Sequence, residues 1–241
     1  LAQTQSCNPR ALEKSLIRQL GGSPVATLEA WASDSPLIEK NATPFEQTIY
    51  DGINPLTAPV LWFAQTEPSI RLAGHLIGID KLGHFIENGH DYYLLHRQEK
   101  RSAKELLRFG IFLEMTLFGI PTSGVLSFAD SAANWEGFNF WSQMTEGERP
   151  YFKCVDSRYL QIRSFTWADY VSDLWDEAIN CSLFRSDIRA IVQRNFAIEG
   201  LQCPMELKPC EALARLPNAQ YLVGPECLRA AGVKPQFNYT K

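Results

Sequence analysis

The chain has 241 residues, 45% of them hydrophobic and 21% charged, and a net charge of −4. That is an ordinary globular composition with ample length for a sizeable core. No lysine or arginine cluster is dense enough to suggest nucleic acid or an anionic membrane surface as a partner.

Residues 1–70 carry prolines at 9, 24, 36, 44, 55, 59 and 68 and predict short helices joined by turns. Arg10 to Leu20 reads as the first helix, stopped by Gly21-Gly22. The start Leu1-Ala2-Gln3 is what a cleaved export signal leaves, so the expected location is secreted or periplasmic. Sequons stand at Asn41, Asn180 and Asn238.

Asp80 to Arg97, DKLGHFIENGHDYYLLHR, carries an apolar stripe of Leu82, Phe85, Ile86, Tyr92 and Tyr93. His84, Glu87, Asn88 and Asp91 gather on another face. His84 and His90 are rotated apart by roughly 240° at helical pitch, which disfavours one shared metal. H-x-x-E-x-x-H also matches neither common zinc pattern, so no metal and no cofactor is expected. His84 and Glu87 are expected to support the Glu114 helix by hydrogen bonds or to sit solvated.

The most informative stretch is Lys100 to Trp141. Ala103, Leu106, Leu107, Gly110 and Ile111 recur at helical spacing, and one turn further that apolar face reaches Glu114. From Phe109 to Ala129 Glu114 is the single ionisable group. A carboxyl in apolar surroundings resists ionisation, and a carboxylic acid still protonated near neutral pH suits general acid catalysis. The alternative is a structural ion pair with a distant Arg or Lys.

Gly119 and Pro121 predict the helix end, Thr122-Ser123-Gly124 a turn, and Val125 to Phe128 a short strand. The stretch is long enough to span a bilayer, but Glu114, Pro121 and the polar turn argue against membrane insertion. Asp130 to Met144 reads as the next helix, with Asp130, Asn134, Gly137 and Trp141 on one face. Ser127 and Asp130 have capping-box spacing.

Thr145 to Pro150 reads as an exposed loop. Thr166 to Asn180 has the pattern of an amphipathic helix, and Arg185 to Phe196 reads as another. Pro- and Cys-rich turns are expected beyond.

The six cysteines, Cys7, Cys154, Cys181, Cys203, Cys210 and Cys227, contain no close C-x-x-C pair, so zinc-ribbon and redox motifs are absent. Their even, wide spread predicts up to three disulfides in an oxidising compartment. The prolines beside Cys203 and Cys210 suggest that these two close a short irregular loop; the connectivity as a whole stays open. One mostly helical domain, 1–241, is the simplest account, with 1–70 an irregular and helical extension and 200–241 a Cys/Pro-rich segment.

The order helix, Glu114, polar turn, strand, helix resembles the core of the lysozyme superfamily. The run S-G-V-x-S-x-A-D-x-x-A-N-x-x-G-x-x-F-W from Ser123 to Trp141 also looks like a group of exported bacterial proteins. So do D-K-x-G-H-F at Asp80 and W-D-E-x-x-N-C-S at Trp175. Within the superfamily the resemblance is to lysozymes of predatory bacteria specific for deacetylated peptidoglycan, over roughly residues 75–185. It implies a lysozyme-like α+β domain, with a small β-hairpin beside the catalytic helix as one wall of a sugar groove.

It also implies a monomeric glycosidase cleaving the glycan strand of peptidoglycan. Glu114 would be the general acid, with Ser123, Ser127, Asp130 and Asn134 as substrate-binding candidates and His84 and Glu87 behind them. A lytic transglycosylase is a variant of this reading. A non-catalytic glycan-binding module, and a metal-dependent hydrolase on His84, Glu87 and Asp91, are its rivals.

Overall fold

The computed structural model describes residues 7–22, 25–64 and 68–237. The chain is a mixed α+β fold, roughly half helical, with small antiparallel sheets. The chain start and the sequon at Asn238 lie outside the described residues.

Helix α1 (Pro9–Leu20) starts where the Asn8 side chain accepts from the Arg10 and Ala11 N–H groups, with Pro9 in its first turn. It ends at Gly21, as its sequence predicts. After α2 (Thr27–Asp34) come β1 (Lys40–Asn41), α3 (Pro59–Ala64), β2 (Ser69–Leu72) and β3 (His75–Gly78). The three strands form one sheet in the order β1-β2-β3, and the cross-strand pair Ile70 and Ile77 faces the core. The extension 1–70 is therefore packed on the rest: Leu12, Ala32 and Ile70 belong to the main core.

That core is organised by two crossing helical segments. Helix α4 (Lys81–Gly83), a π turn (His84–Asn88) and α5 (Gly89–Glu99) run on as one helix. They lie against α7 (Phe128–Ser142). The crossing is backbone to backbone. A Cβ on Gly89 would stand 2.5 Å from the Cα of Gly137, and one on Gly137 would stand 2.0 Å from the Phe85 carbonyl oxygen. Trp141 Nε1 donates to the Ile86 carbonyl at 2.9 Å inside the same contact. Helix α6 (Ala103–Thr116) closes the third side, beginning on a capping box between Ser102 and Glu105.

After α6 a π turn (Gly119–Ser123) leads into β4 (Val125–Leu126). The expected hairpin after Glu114 does not form. β4 pairs with β7 (Leu183–Phe184), far along the chain: its Val125 joins a second apolar cluster with Ile188 and Val192 of α8 (Ser186–Glu199), while its Leu126 faces the main core. The hairpins of the fold lie elsewhere, β2–β3 before the helix and β5 (Phe152–Val155) with β6 (Arg158–Gln161) after α7.

The helix expected over 166–180 is replaced by two short 3-10 turns, Trp167–Asp169 and Asp173–Trp175. Thr166, Ser172 and Asp176 each accept a nearby backbone N–H, which competes with helical bonding. Asn180 is fully buried; it donates to the Leu174 and Leu222 carbonyls and accepts from Gly224 N–H, so it is a structural tie and no surface sequon. The C-terminal segment holds short helices α9 (Lys208–Leu213), α10 (Ala219–Leu222) and α11 (Pro225–Ala230) where turns are expected.

All six cysteines are paired, as Cys7–Cys154, Cys181–Cys203 and Cys210–Cys227. The expected Cys203–Cys210 bridge is wrong: Cys210 sits in α9 facing Cys227 of α11, and Cys203 reaches back to Cys181. Three disulfides fit an extracellular or otherwise oxidising compartment.

Candidate active site

Glu114 lies where the helical periodicity of α6 puts it, on the buried face with Leu106, Leu107, Gly110 and Ile111. It is 8% exposed. The chain turns back over it at Gly119, where a Cβ would fall 2.5 Å from Glu114 Oε2, so this position needs glycine for close approach to the carboxyl. Burial pushes the carboxyl up to about 7, and the negative charge of Asp130 adds to the effect. His84, Lys81 and the Gly119 backbone N–H act in the opposite direction. No Arg or Lys forms an ion pair with Glu114 among the described residues.

Asp130 stands one turn into α7. Ser127 is the N-cap, its hydroxyl accepting from Asp130 N–H at 3.1 Å, which is half of the predicted capping box. Oδ1 of Asp130 is 2.7 Å from Lys81 Nζ, an ion pair without hydrogen-bond alignment, and its Oδ2 is 3.4 Å from His84 Nε2. Burial alone would raise this carboxyl, but His84 and Lys81 outweigh it and hold Asp130 below the ordinary aspartate range. Two neighbouring carboxyls are thus pushed apart: one stays protonated towards neutrality, the other ionised.

Lys81 makes the cluster possible. Its side chain is only 2% exposed, and its ammonium lies 2.9 Å from Asp80 Oδ2, 2.7 Å from Asp130 Oδ1 and 3.3 Å from Glu177 Oε1. Burial disfavours its charge, yet Asp130, Asp80 and Glu177 outweigh that and raise it well above the usual lysine range. Glu177 also accepts the Ser127 hydroxyl at 2.6 Å, tying the 175–180 turn to the start of α7. Tyr50 feels the charges of Glu177, Lys81, Asp130 and Asp80; burial, then Glu177, raises its hydroxyl far above the ordinary phenol range.

His84 Nδ1 lies 3.0 Å from Asn134 Oδ1. Burial works against its imidazolium, but Asp130 and Asp80 overcome it and raise the imidazole. Tyr92 hydrogen-bonds Asn134. His84, Asp130, Asn134 and Ser127 are therefore brought together around Lys81.

Two predicted site residues are not part of this cluster. Ser123 spends its hydroxyl inside its own turn, donating to the Gly119 carbonyl at 2.7 Å and accepting from Val125 N–H at 3.2 Å. Glu87 points to the α1–α2 connection, where it accepts Gly22 N–H at 2.7 Å. Glu87 therefore ties the π turn (His84–Asn88) to the α1–α2 connection and does not support the Glu114 helix. His84 likewise bonds to α7 rather than to α6.

Lys81, Glu177 and Tyr50 are the members sequence reasoning missed. Lys81 and Glu177 lie inside the D-K-x-G-H-F and W-D-E-x-x-N-C-S runs, but their burial comes from contacts between segments far apart in the chain. Asp80, His84 and Asp130 place ligand-type atoms within 4.8 Å of one another, and the Lys81 ammonium forms ion pairs with both of those carboxylates. The cluster is reached from solvent through Asp80 and Glu177, whose side chains are 42% and 40% exposed, and more narrowly past His84. A surface concavity of about 490 Å³ lies elsewhere, beside the Cys7–Cys154 bridge, and shares no lining residue with the cluster.

No protein-family model, curated protein or solved structure matches the chain. The chemistry is therefore argued from the cluster itself.

Proposed function

We propose that the protein is a glycoside hydrolase of the lysozyme type that cleaves the glycan strand of peptidoglycan, with Glu114 as the general acid. The observation that carries this reading is the opposed ionisation of two neighbouring carboxyls, Glu114 raised to about 7 and Asp130 held low. Such separation is how one site provides an acid and an anion at the same pH.

Glu114 protonates the departing glycosidic oxygen as the C1–O bond breaks. A water molecule supplies the new C1–O bond and releases its proton to solvent, from which Glu114 is reprotonated. Asp130 remains ionised and stabilises positive charge at the sugar ring. Both of its oxygens are engaged, by Lys81 and His84, which favours water over Asp130 as the attacking group. Asp80 and Glu177 at the solvent side suit the ammonium of a deacetylated glucosamine better than a neutral acetamido group.

Burial of Glu114 and Lys81, with Asp130 only 15% exposed at its side chain, supports a second reading, a structural polar lock on a non-catalytic glycan-binding module. Incubation with acetylated and deacetylated cell-wall sacculi separates the two. The hydrolase releases soluble muropeptides with reducing ends, more from deacetylated walls, and Glu114→Gln stays folded and releases none. A fully active Glu114→Gln, or a wild type that binds walls and releases nothing, removes the hydrolase reading. Anhydro ends would instead assign a lytic transglycosylase.

A further inference from the structure

We infer that the C-terminal end of α6 docks this protein, end first, on the surface of an anionic phospholipid bilayer without crossing it. The helix has a buried face and an exposed apolar end. Leu106, Leu107, Gly110, Ile111 and Glu114 are buried, whereas Phe112, Leu117 and Phe118 are 56%, 56% and 57% exposed. The stretch Ala103–Ser123 is apolar enough to cross a membrane by length and composition, yet only 28% of its most apolar window is buried in the protein. A spanning role is excluded by its inner face, which carries Glu114 against the core. What remains is an apolar end, continuous through Phe112 with the outer face of the helix, that the protein itself does not cover.

The apolar tip extends onto a second element. The Arg185 guanidinium donates to the Ile120 carbonyl at 3.0 Å and to the Thr57 carbonyl at 2.8 Å, which holds the 56–60 segment beside the end of α6. In that segment Leu56 is 89% exposed and Val60 49% exposed.

The charge on the same face selects the occupant. Lys104, Arg108 and Phe112 follow one another at four-residue spacing, so they share one exposed stripe. Neither Lys104 nor Arg108 has an ion-pair partner among the described residues, and Glu105 is engaged with Ser102 in the helix cap. At about 1.5 Å of rise per residue, Arg108 and Lys104 stand roughly 6 and 12 Å behind Phe112 along the axis. With that end entering first, the cations stand at the level of the lipid phosphates while Phe112, Leu117 and Phe118 reach the acyl boundary. The sequence expectation against an anionic membrane surface rested on charge density along the chain; the helix gathers the charges onto one stripe. The inference is independent of the glycosidase reading, since no member of the carboxylate cluster takes part.

Co-sedimentation of the purified protein with vesicles tests it, with the oligomeric state followed by light scattering. The wild type should bind vesicles of phosphatidylethanolamine and phosphatidylglycerol more tightly than vesicles of phosphatidylcholine alone. Phe112→Ser/Leu117→Ser/Phe118→Ser should keep its circular dichroism spectrum and bind about tenfold or more weakly to both. Lys104→Glu/Arg108→Glu should lose the preference for phosphatidylglycerol. A wild type that stays in solution with both vesicles, or binding indifferent to either set of substitutions, overturns the inference. So does a wild-type dimer that ignores vesicles and dissociates in the triple-serine variant, because a second copy then covers this face.

Discussion

Glu13 and Glu114 are equally buried, each 8% exposed, and are held in opposite ways. Glu13 of α1 meets Arg97 with both oxygens, Oε2 to Nη1 at 2.5 Å and Oε1 to Nη2 at 3.3 Å, and its Oε1 also bonds His90 Nε2 at 2.9 Å. Arg97 lies over the Tyr93 ring, 4.9 Å from its centroid, and the His90 ring packs against Trp141 at 4.7 Å. That is a strap: it fixes α1 to α5 and leaves the carboxylate nothing further to do. Glu114 has no such clasp, and the strongest charge acting on it is that of another carboxylate, Asp130. Equal removal from water therefore produces a spent ion pair in one place and a proton donor in the other. For Glu114 burial is the larger cause and the like charge of Asp130 adds to it, whereas Glu13 meets Arg97 and His90 directly.

The contrast can be broken most forcefully at Lys81. Lys81→Met removes the ammonium that Asp130, Asp80 and Glu177 share and leaves the largely buried Asp130 carboxylate with His84 alone. It should cost about 3–5 kcal/mol in urea unfolding at neutral pH. A loss under about 1 kcal/mol would mean that the cluster is solvated and that its electrostatics are much weaker than argued.

The next effect depends on pH. Below about 4.5 Glu114 is protonated both folded and unfolded and contributes nothing to the pH dependence. Between about 4.5 and about 7 the unfolded chain ionises while the folded protein keeps its proton, so stability falls as pH rises; above about 7 the penalty is constant. Glu114→Gln cannot ionise. It should match the wild type near pH 4 and exceed it by roughly 2–3 kcal/mol near pH 8. Wild type and variant unfolding in parallel across that range would contradict a raised carboxyl at this position.

Glu13→Gln sharpens the other half of the comparison. It should destabilise at neutral pH by about 1–2 kcal/mol, moderated because the Arg97 side chain is 29% exposed and can turn to solvent. It should leave muropeptide release unchanged. The smallest effect is expected at Ser127: Ser127→Ala removes the N-cap of α7 and the tie to Glu177, for about 1 kcal/mol. Thermal melts suffice to see it.

The half of this comparison at Glu114 is legible in the chain, because Leu106, Leu107, Gly110, Ile111 and Glu114 share a 3.6-residue period that local structure obeys. The start of α7 is legible for the same reason, through Ser127. What sits around Glu114 is not. Lys81, Asp130 and Glu177 meet through the Gly89–Gly137 crossing and the return of the chain near residue 177, and no local pattern encodes either event. The expected helix over 166–180 failed because Thr166, Ser172 and Asp176 satisfy backbone N–H groups locally, which outweighs a good apolar period. The partner of Glu87 is equally illegible: Gly22 N–H, 65 residues earlier in the chain.

The most direct test is the titration of the Glu114 carboxyl itself, followed by 13C NMR of glutamate-labelled protein and identified by the signal missing from Glu114→Gln. A midpoint near 7 is the predicted result. A midpoint at or below that of free glutamate would show that Glu114 is an ordinary buried anion, as spent as Glu13, and the proposed acid would be gone.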